Sequence, residues 1–325
     1  MIAPTETSKC YDNTKLSTYK TCPRSYFIRH VLGWRSEGTA VPLVFGLSWH
    51  EGMDAVWTYA KQLSRPDLVQ AAQAKFLEKW EESGFDPDLS LAAAEVYGQR
   101  TPGTAHEMFD NYTTTRWRML QEAILLACEQ PFAVPMPGLF NHWYVGRLDK
   151  VVDYNGQVLV LEHKTTTAYA TQGNFRSDYV DSWYASSQVK GYEFGAGLYY
   201  PTLTAVWVDA ALVHKKIHDA FKFIPISHST TLLTEWVGDA REWIIRVAKE
   251  EEAFEEMGSS HLGPGMFPKN EESCFGKYGS CPFLDICRSV ADPSRLEEVP
   301  VGYVKEIWEP FSILGLDKLV QQTKE

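Results

Sequence analysis

The sequence predicts an α/β fold built around a β-hairpin. Three observations carry the prediction: an Asn155-Gly156 pair between two β-branched, apolar runs, helical and strand periodicities on either side of it, and 325 residues to bury one core. Asn-Gly is the strongest short hairpin signal, because both loop residues must accept positive φ. Read in order, the periodicities give helices at about 16–32, 47–63, 66–83 and 104–128, then the hairpin at 141–166. A helix at about 182–199 follows, then strands at about 203–214 and 219–226, then a long helix at about 230–257. Gly258-Ser259-Ser260 and Gly263-Pro264-Gly265 end that helix and open a cysteine-bearing loop.

The hairpin carries the chemistry. With Asn155 and Gly156 as the two loop residues, Tyr154 faces Gln157 and Asp149 comes opposite Glu162. Side chains alternate along a strand, so Lys164 shares their face and His163 points the other way. Two opposed carboxylates at ~5 Å repel, and a divalent cation between them turns that liability into a site, since hard cations take oxygen ligands. A lysine beside the pair can orient or deprotonate a water. Asp, Glu and Lys are also ordinary residues of exposed strand faces. Here the turn, the register and an apolar opposite face (Leu148, Val152, Leu159, Leu161) agree.

These residues resemble the core of the PD-(D/E)XK nuclease superfamily, in particular its RecB-like and CRISPR-associated exonuclease branch. Further segments match in order: Leu16-Ser17-Thr18-Tyr19-Lys20-Thr21-Cys22-Pro23-Arg24-Ser25-Tyr26, Gly46-Leu47-Ser48-Trp49-His50-Glu51, Gln188-Val189-Lys190-Gly191-Tyr192, and the C-terminal cysteines. The resemblance runs from about Lys15 to Cys287. It implies a restriction-endonuclease-like core, a central mixed sheet flanked by helices. It also implies Mg²⁺ or Mn²⁺ held by His50, Asp149, Glu162 and the backbone carbonyl of His163. Asp149, Glu162, Lys164, Gln188 and Tyr192 become the catalytic set, the last two contacting the DNA backbone or orienting the site. Gln188 and Tyr192 are i and i+4, so one helical face presents both, as ordinary helix packing also would. A histidine nitrogen among oxygens makes Mn²⁺ more acceptable than a purely carboxylate site does.

Six cysteines stand at 10, 22, 128, 274, 281 and 287. The chain opens without a signal-peptide pattern and is too long to need disulfide staples, and tight zinc knuckles are absent. Thiolates with wider loops suit a [4Fe–4S] cluster, with zinc as the alternative. The resemblance assigns the cluster to one cysteine before the core, Cys22, and three after it, Cys274, Cys281 and Cys287. The six-residue gap between Cys274 and Cys281 is longer than the family's usual first gap. Cys10 is a substitute first ligand, and Cys128, in an expected apolar helix, reads as packing. Joining positions 252 residues apart makes the cluster a clasp more than a redox centre.

A single nuclease domain over 1–325 is therefore expected: a helical insertion at about 52–128, a core at about 129–257, the clasp of Cys22 with 274–287, and a tail at 293–325. The insertion could be a cap, an arch for strand threading or a partner surface. The tail's aromatics Tyr303, Trp308 and Phe311 could dock on the body or on a partner. Composition is globular, at 44% hydrophobic and 13% aromatic residues, with no run long enough to span a membrane. A cytoplasmic location is expected. The net charge of −11 argues against tight, indiscriminate coating of DNA. Local basic groups, Lys20, Arg24, Arg29 and Arg35 or Lys215, Lys216 and Lys222, could still line a channel or simply face solvent. The expected activity is exonucleolytic hydrolysis of DNA, on single strands or ends, in recombination, repair, phage replication or CRISPR adaptation, with proteins of those pathways as partners. The alternative is a DNA-binding or assembly module with weak turnover. Intact Asp149, Glu162 and Lys164 argue against that alternative.

Overall fold

The computed structural model describes residues 3–38, 40–87, 93–170, 174–276 and 279–322. In chain order the elements are β1 (Lys9–Tyr11), α1 (Asn13–Thr21), α2 (Pro23–Tyr26), a π-helical turn (Phe27–Val31) and β2 (Trp34–Ser36). Then come α3 (Val41–Tyr59), α4 (Arg65–Glu82), α5 (Ala93–Tyr97), α6 (Pro102–Glu122), β3 (Ile124–Pro135), β4 (His142–Tyr154) and β5 (Gln157–Thr166). Next are α7 (Ser177–Tyr184), α8 (Ser187–Tyr199), β6 (Leu203–Leu212), β7 (Phe221–Ile226) and α9 (Thr230–Glu256). The remainder holds β8 (Phe275–Gly276), β9 (Gly279–Ser280), α10 (Leu284–Ser289), β10 (Tyr303–Lys305), α11 (Pro310–Ile313) and α12 (Leu316–Gln322).

Two compact units divide the chain. One comprises Thr39–Gln130 and Arg147–Ser229. In it the end of β4 and β5 form the antiparallel hairpin, with Tyr154 opposite Gln157 and Lys150 opposite Leu161. Asn155 and Gly156 both take positive φ, 55° and 76°, as the two-residue turn requires. β5 then pairs parallel with β6, and β6 antiparallel with β7, so the sheet is mixed. Leu159–His163 are all buried, as expected of a strand covered on both faces. Phe45, Trp49, Met53, Phe76, Trp80 and Phe109 of α3, α4 and α6 pack with Val152, Leu159 and Leu161. Gly52 makes the close approach of these helices possible: a Cβ there would meet Phe109 Cζ at 2.2 Å and the Ala72 carbonyl oxygen at 3.0 Å. Side-chain oxygens of Ser64, Thr101 and Ser186 cap α4, α6 and α8.

The other unit comprises Met1–Gly38, Pro131–Gly146 and Thr230–Glu325. There β1 pairs parallel with the start of β4, Cys10 opposite Trp143. Phe27 meets Phe254 and Phe267 edge-on and tilted, at 5.0 and 4.9 Å between ring centroids. The tail returns to the N-terminal segment: β10 pairs antiparallel with β2, and Glu306 bridges Arg29 at 2.7 Å and Arg35 at 2.6 Å. Arg24 is buried and donates to the carbonyls of Phe267 and Ala291, while the Lys20 ammonium lies 5.5 Å from the Trp243 ring centroid. The N-terminal basic cluster thus serves internal contacts.

Three expected elements differ. The helix over 16–32 breaks at Cys22, which is extended (φ −160°, ψ 110°), because Pro23 disfavours helical geometry in the residue before it. The helix over 182–199 divides between α7 and α8. The helix over 104–128 ends at Glu122, and Ile124–Pro135 form a strand paired with β4. A short apolar run such as Ile124–Ala127 suits either state, and the β4 partner decides it. Cys128 is therefore a half-buried strand residue, not a helical one. Among the described residues no helix is long and apolar enough to cross a membrane.

Candidate active site

The hairpin ladder ends one residue short of Asp149 and Glu162. There Asp149 Oδ2 accepts the His163 backbone N–H at 2.8 Å and lies 3.2 Å from His50 Nδ1 of α3. Glu162, 1% exposed, is held through one oxygen: Oε1 accepts from Lys164 Nζ at 2.6 Å and Gln188 Nε2 at 2.9 Å. Gln188 Nε2 also donates to Tyr192 Oη at 2.9 Å, one turn further along α8. The other oxygen, Glu162 Oε2, is buried and has no hydrogen-bond partner among the described residues. A buried carboxylate oxygen without a partner is costly unless something cationic meets it.

Charge follows from this packing. Burial, then repulsion from Asp149, pushes Glu162 up to about 7, against the pull of Lys164 and His50. Burial alone would raise Asp149 too, but His50, Lys150 and His163 hold it well below the usual carboxylate range. Burial works against the charged forms of His50 and Lys164, and Asp149 and Glu162 outweigh it, so both stay protonated more readily than usual.

The sequence reading missed Glu129. It sits on β3 with positive φ (50°), and its Oε2 accepts from Arg147 Nε at 2.6 Å. Ligand atoms of His50, Glu129 and Asp149 all lie within 4.8 Å of one another, the one such set of three among the described residues. Burial, then repulsion from Asp149, pushes Glu129 up to about 7. It falls between the helix expected at about 104–128 and the hairpin expected from 141, where the periodicities place no element, so no pattern brings it to the hairpin. His50, Glu129 and Asp149 offer oxygen and imidazole donors suited to Mg²⁺ or Mn²⁺, and Glu162, expected among the ligands, falls outside that set.

The opposite sheet face fixes the backbone of the site. The His163 side chain is buried there, its Nδ1 3.2 Å from Asp209 Oδ2, and burial lowers its pKa. Tyr112 Oη of α6 donates to the same oxygen at 2.6 Å, and Arg116 stacks over Phe223 at 3.7 Å. Lys150, fully buried, pairs with Asp54 and donates to the Asp149 carbonyl at 3.0 Å. His50 and Asp54 are i and i+4 on α3, so one helix face meets consecutive residues of β4.

The cysteines 22, 274, 281 and 287 lie in the other unit. Burial, then repulsion from Cys22 and Cys274, raises the Cys281 thiol, and burial with repulsion from Cys22 and Cys281 raises Cys287. The Arg24 N–H donates to the Pro268 carbonyl at 3.2 Å, Asn270 Nδ2 to the Thr21 carbonyl at 2.8 Å, and Cys281 N–H to the Cys274 carbonyl at 2.8 Å. A cavity of about 260 Å³ is lined by Thr18, Cys22, Ser273, Cys281 and Pro282 among others. Cys10 is buried on β1 beside Lys15, whose Nζ donates to the Cys10 carbonyl at 3.4 Å.

A mixed sheet flanked by helices carries two carboxylates and a lysine at one hairpin, beside a His50, Glu129 and Asp149 group that could hold a metal ion. The model of the PD-(D/E)XK nuclease superfamily matches residues 13–288, and the chain belongs to that superfamily. Among solved structures it is similar to a protein of Eubacterium rectale provisionally named an exonuclease, at 13% identity and a TM-score of 0.46, over 88% of this chain and 89% of that one. It is also similar to SSO0001, at 13% identity and a TM-score of 0.30, over 86% and 96% of the two chains. No curated protein matches.

Proposed function

We propose that the chain is a metal-dependent DNA exonuclease of the RecB-like branch, working on single strands or DNA ends. Asp149, Glu162 and Lys164 are its catalytic groups; His50, Asp149, Glu162 and the His163 carbonyl are its metal ligands, joined by Glu129, which lies with His50 and Asp149. The observation that carries the reading is Glu162, buried with one oxygen tied to Lys164 and Gln188 and the other without a partner. When bound there, Mg²⁺ or Mn²⁺ supplies Lewis acidity toward a phosphodiester oxygen and acidifies a water.

The protein's own groups do the positioning. Lys164, kept charged by Glu162 and Asp149, is a donor that orients the attacking water and meets charge developing on phosphate. Gln188 sets the plane of the Glu162 carboxylate, and Tyr192 sets Gln188. His50 and the His163 N–H fix Asp149. The family match extends through both compact units, which supports one nuclease domain.

The proposal includes a [4Fe–4S] clasp on Cys22, Cys274, Cys281 and Cys287. The hydrogen bonds that join the segments bearing them support it: Asn270 Nδ2 to the Thr21 carbonyl and Cys281 N–H to the Cys274 carbonyl.

Linear and covalently closed circular DNA, incubated with Mg²⁺, Mn²⁺ or chelator, test the activity. Metal-dependent release of 5′-phosphorylated products from linear DNA, with circles spared, is expected. Equal attack on circles would make the enzyme an endonuclease, and no cleavage of any DNA would overturn the reading.

A further inference from the structure

The helix α7 has an unusual surface. A short amphipathic helix normally buries its apolar face, yet none of the eight residues of α7 is buried. Its aromatics form a stripe at i, i+4 spacing. Phe175, just before the helix, stacks at 6.1 Å on Tyr179, which meets Trp183 edge-on at 5.9 Å. Tyr169, 45% exposed, pairs by backbone bridge with Phe175 and extends the stripe. His214 braces Tyr169 edge-on at 4.8 Å, and the exposed Lys215 and Lys216 follow it. Trp183 Nε1 is buried without a hydrogen-bond partner among the described residues.

The stripe adjoins the helix whose Gln188 bonds Glu162. Only Ala185 and Ser186 separate α7 from α8, which carries Gln188.

We propose that Tyr169, Phe175, Tyr179 and Trp183 form a stacking platform that receives the unpaired bases of a single DNA strand as it enters the site. This deepens the nuclease reading and rests on it. Phosphate attraction alone is a poor source of affinity here, because the chain carries −11 net charge and Arg24, Arg29 and Arg35 are engaged within the protein. Stacking on aromatic faces needs no net charge and tolerates any base. A duplex hides its base faces, so the platform selects single strands. Lys215 and Lys216 supply the complementary charge. Two phosphate contacts give a salt slope of about −1.4 on a single strand, shallow for a DNA-binding protein.

The test is binding in chelator, by anisotropy, of labelled oligothymidylate and of an abasic oligomer with the same phosphates. The wild-type protein should bind the oligothymidylate about 5- to 150-fold more tightly. Tyr169→Leu and Trp183→Leu should each remove most of that difference, while Tyr169→Trp, which keeps a π face, should retain it. Melting temperatures confirm folding, and Tyr169, at the surface, is the decisive position if Trp183→Leu unfolds. Equal affinity for the two oligomers, or unchanged binding by Tyr169→Leu, overturns the platform. A parallel Mn²⁺ cleavage assay separates the two readings. Cleavage without single-strand discrimination defeats only the platform, whereas absence of cleavage on every DNA defeats the nuclease assignment beneath it.

Discussion

Gln188 Nε2 donates to Glu162 Oε1 at 2.9 Å and leaves Glu162 Oε2 pointing away without a partner among the described residues. Gln188 and Lys164 together hold the same oxygen, and in the proposed site this leaves Oε2 for a cation. Gln188→Leu should leave the melting temperature nearly unchanged and weaken Mn²⁺ binding by about 10- to 100-fold, the usual cost of removing a partner behind a metal ligand. Calorimetric Mn²⁺ titration checks it. Unchanged affinity would reduce Gln188 to helix packing.

Glu129→Gln removes a charge from the set with His50 and Asp149 while keeping shape and the contact to Arg147. Metal affinity should fall by at least about 10-fold. Restoration of cleavage at raised Mn²⁺ would place Glu129 in metal retention, and an unaltered titration would remove it from the site.

Metal should stabilise the protein more as pH rises. Glu162 and Glu129 are each raised from 4.5 to about 7, so the fold holds protons there that the unfolded chain releases. Their contribution to apoprotein stability is full below 4.5, is lost as pH rises to about 7, and is flat above. A cation takes the deprotonated forms and relieves that loss. The Tm gain from Mn²⁺ over chelator should therefore be larger at pH about 8 than at pH about 5.5. A gain that shrinks with rising pH would contradict the protonation scheme.

Anaerobically purified protein should contain about four irons per chain and absorb broadly in the visible. Cys22→Ser, Cys274→Ser, Cys281→Ser and Cys287→Ser should each lower iron content, and Cys128→Ser, on β3 in the other unit, should not. Iron loss on Cys10→Ser with retention on Cys22→Ser would move the first ligand. Stoichiometric zinc without iron after reconstitution would replace the cluster.

The hairpin was legible because Asn155-Gly156 fixes its own register, and Tyr154 opposite Gln157 follows from the turn alone. Elements with strong periodicity, such as α9 and β6, fell within a few residues of their expected ends. Glu129 was not legible, since its position depends on the Ile124–Pro135 strand, and an apolar run does not declare its strand partner. The roles of Arg29 and Arg35 were hidden likewise: their partner, Glu306, lies some 270 residues away in sequence.

The most direct measurement compares initial cleavage rates of wild-type protein, Glu162→Gln and Lys164→Met on end-labelled linear DNA across a Mn²⁺ titration. Both variants should keep wild-type melting curves and lose at least about 100-fold in rate, Glu162→Gln with weakened Mn²⁺ dependence and Lys164→Met with Mn²⁺ affinity largely retained. Wild-type rates in either variant would contradict a phosphodiester-cleaving site on this hairpin.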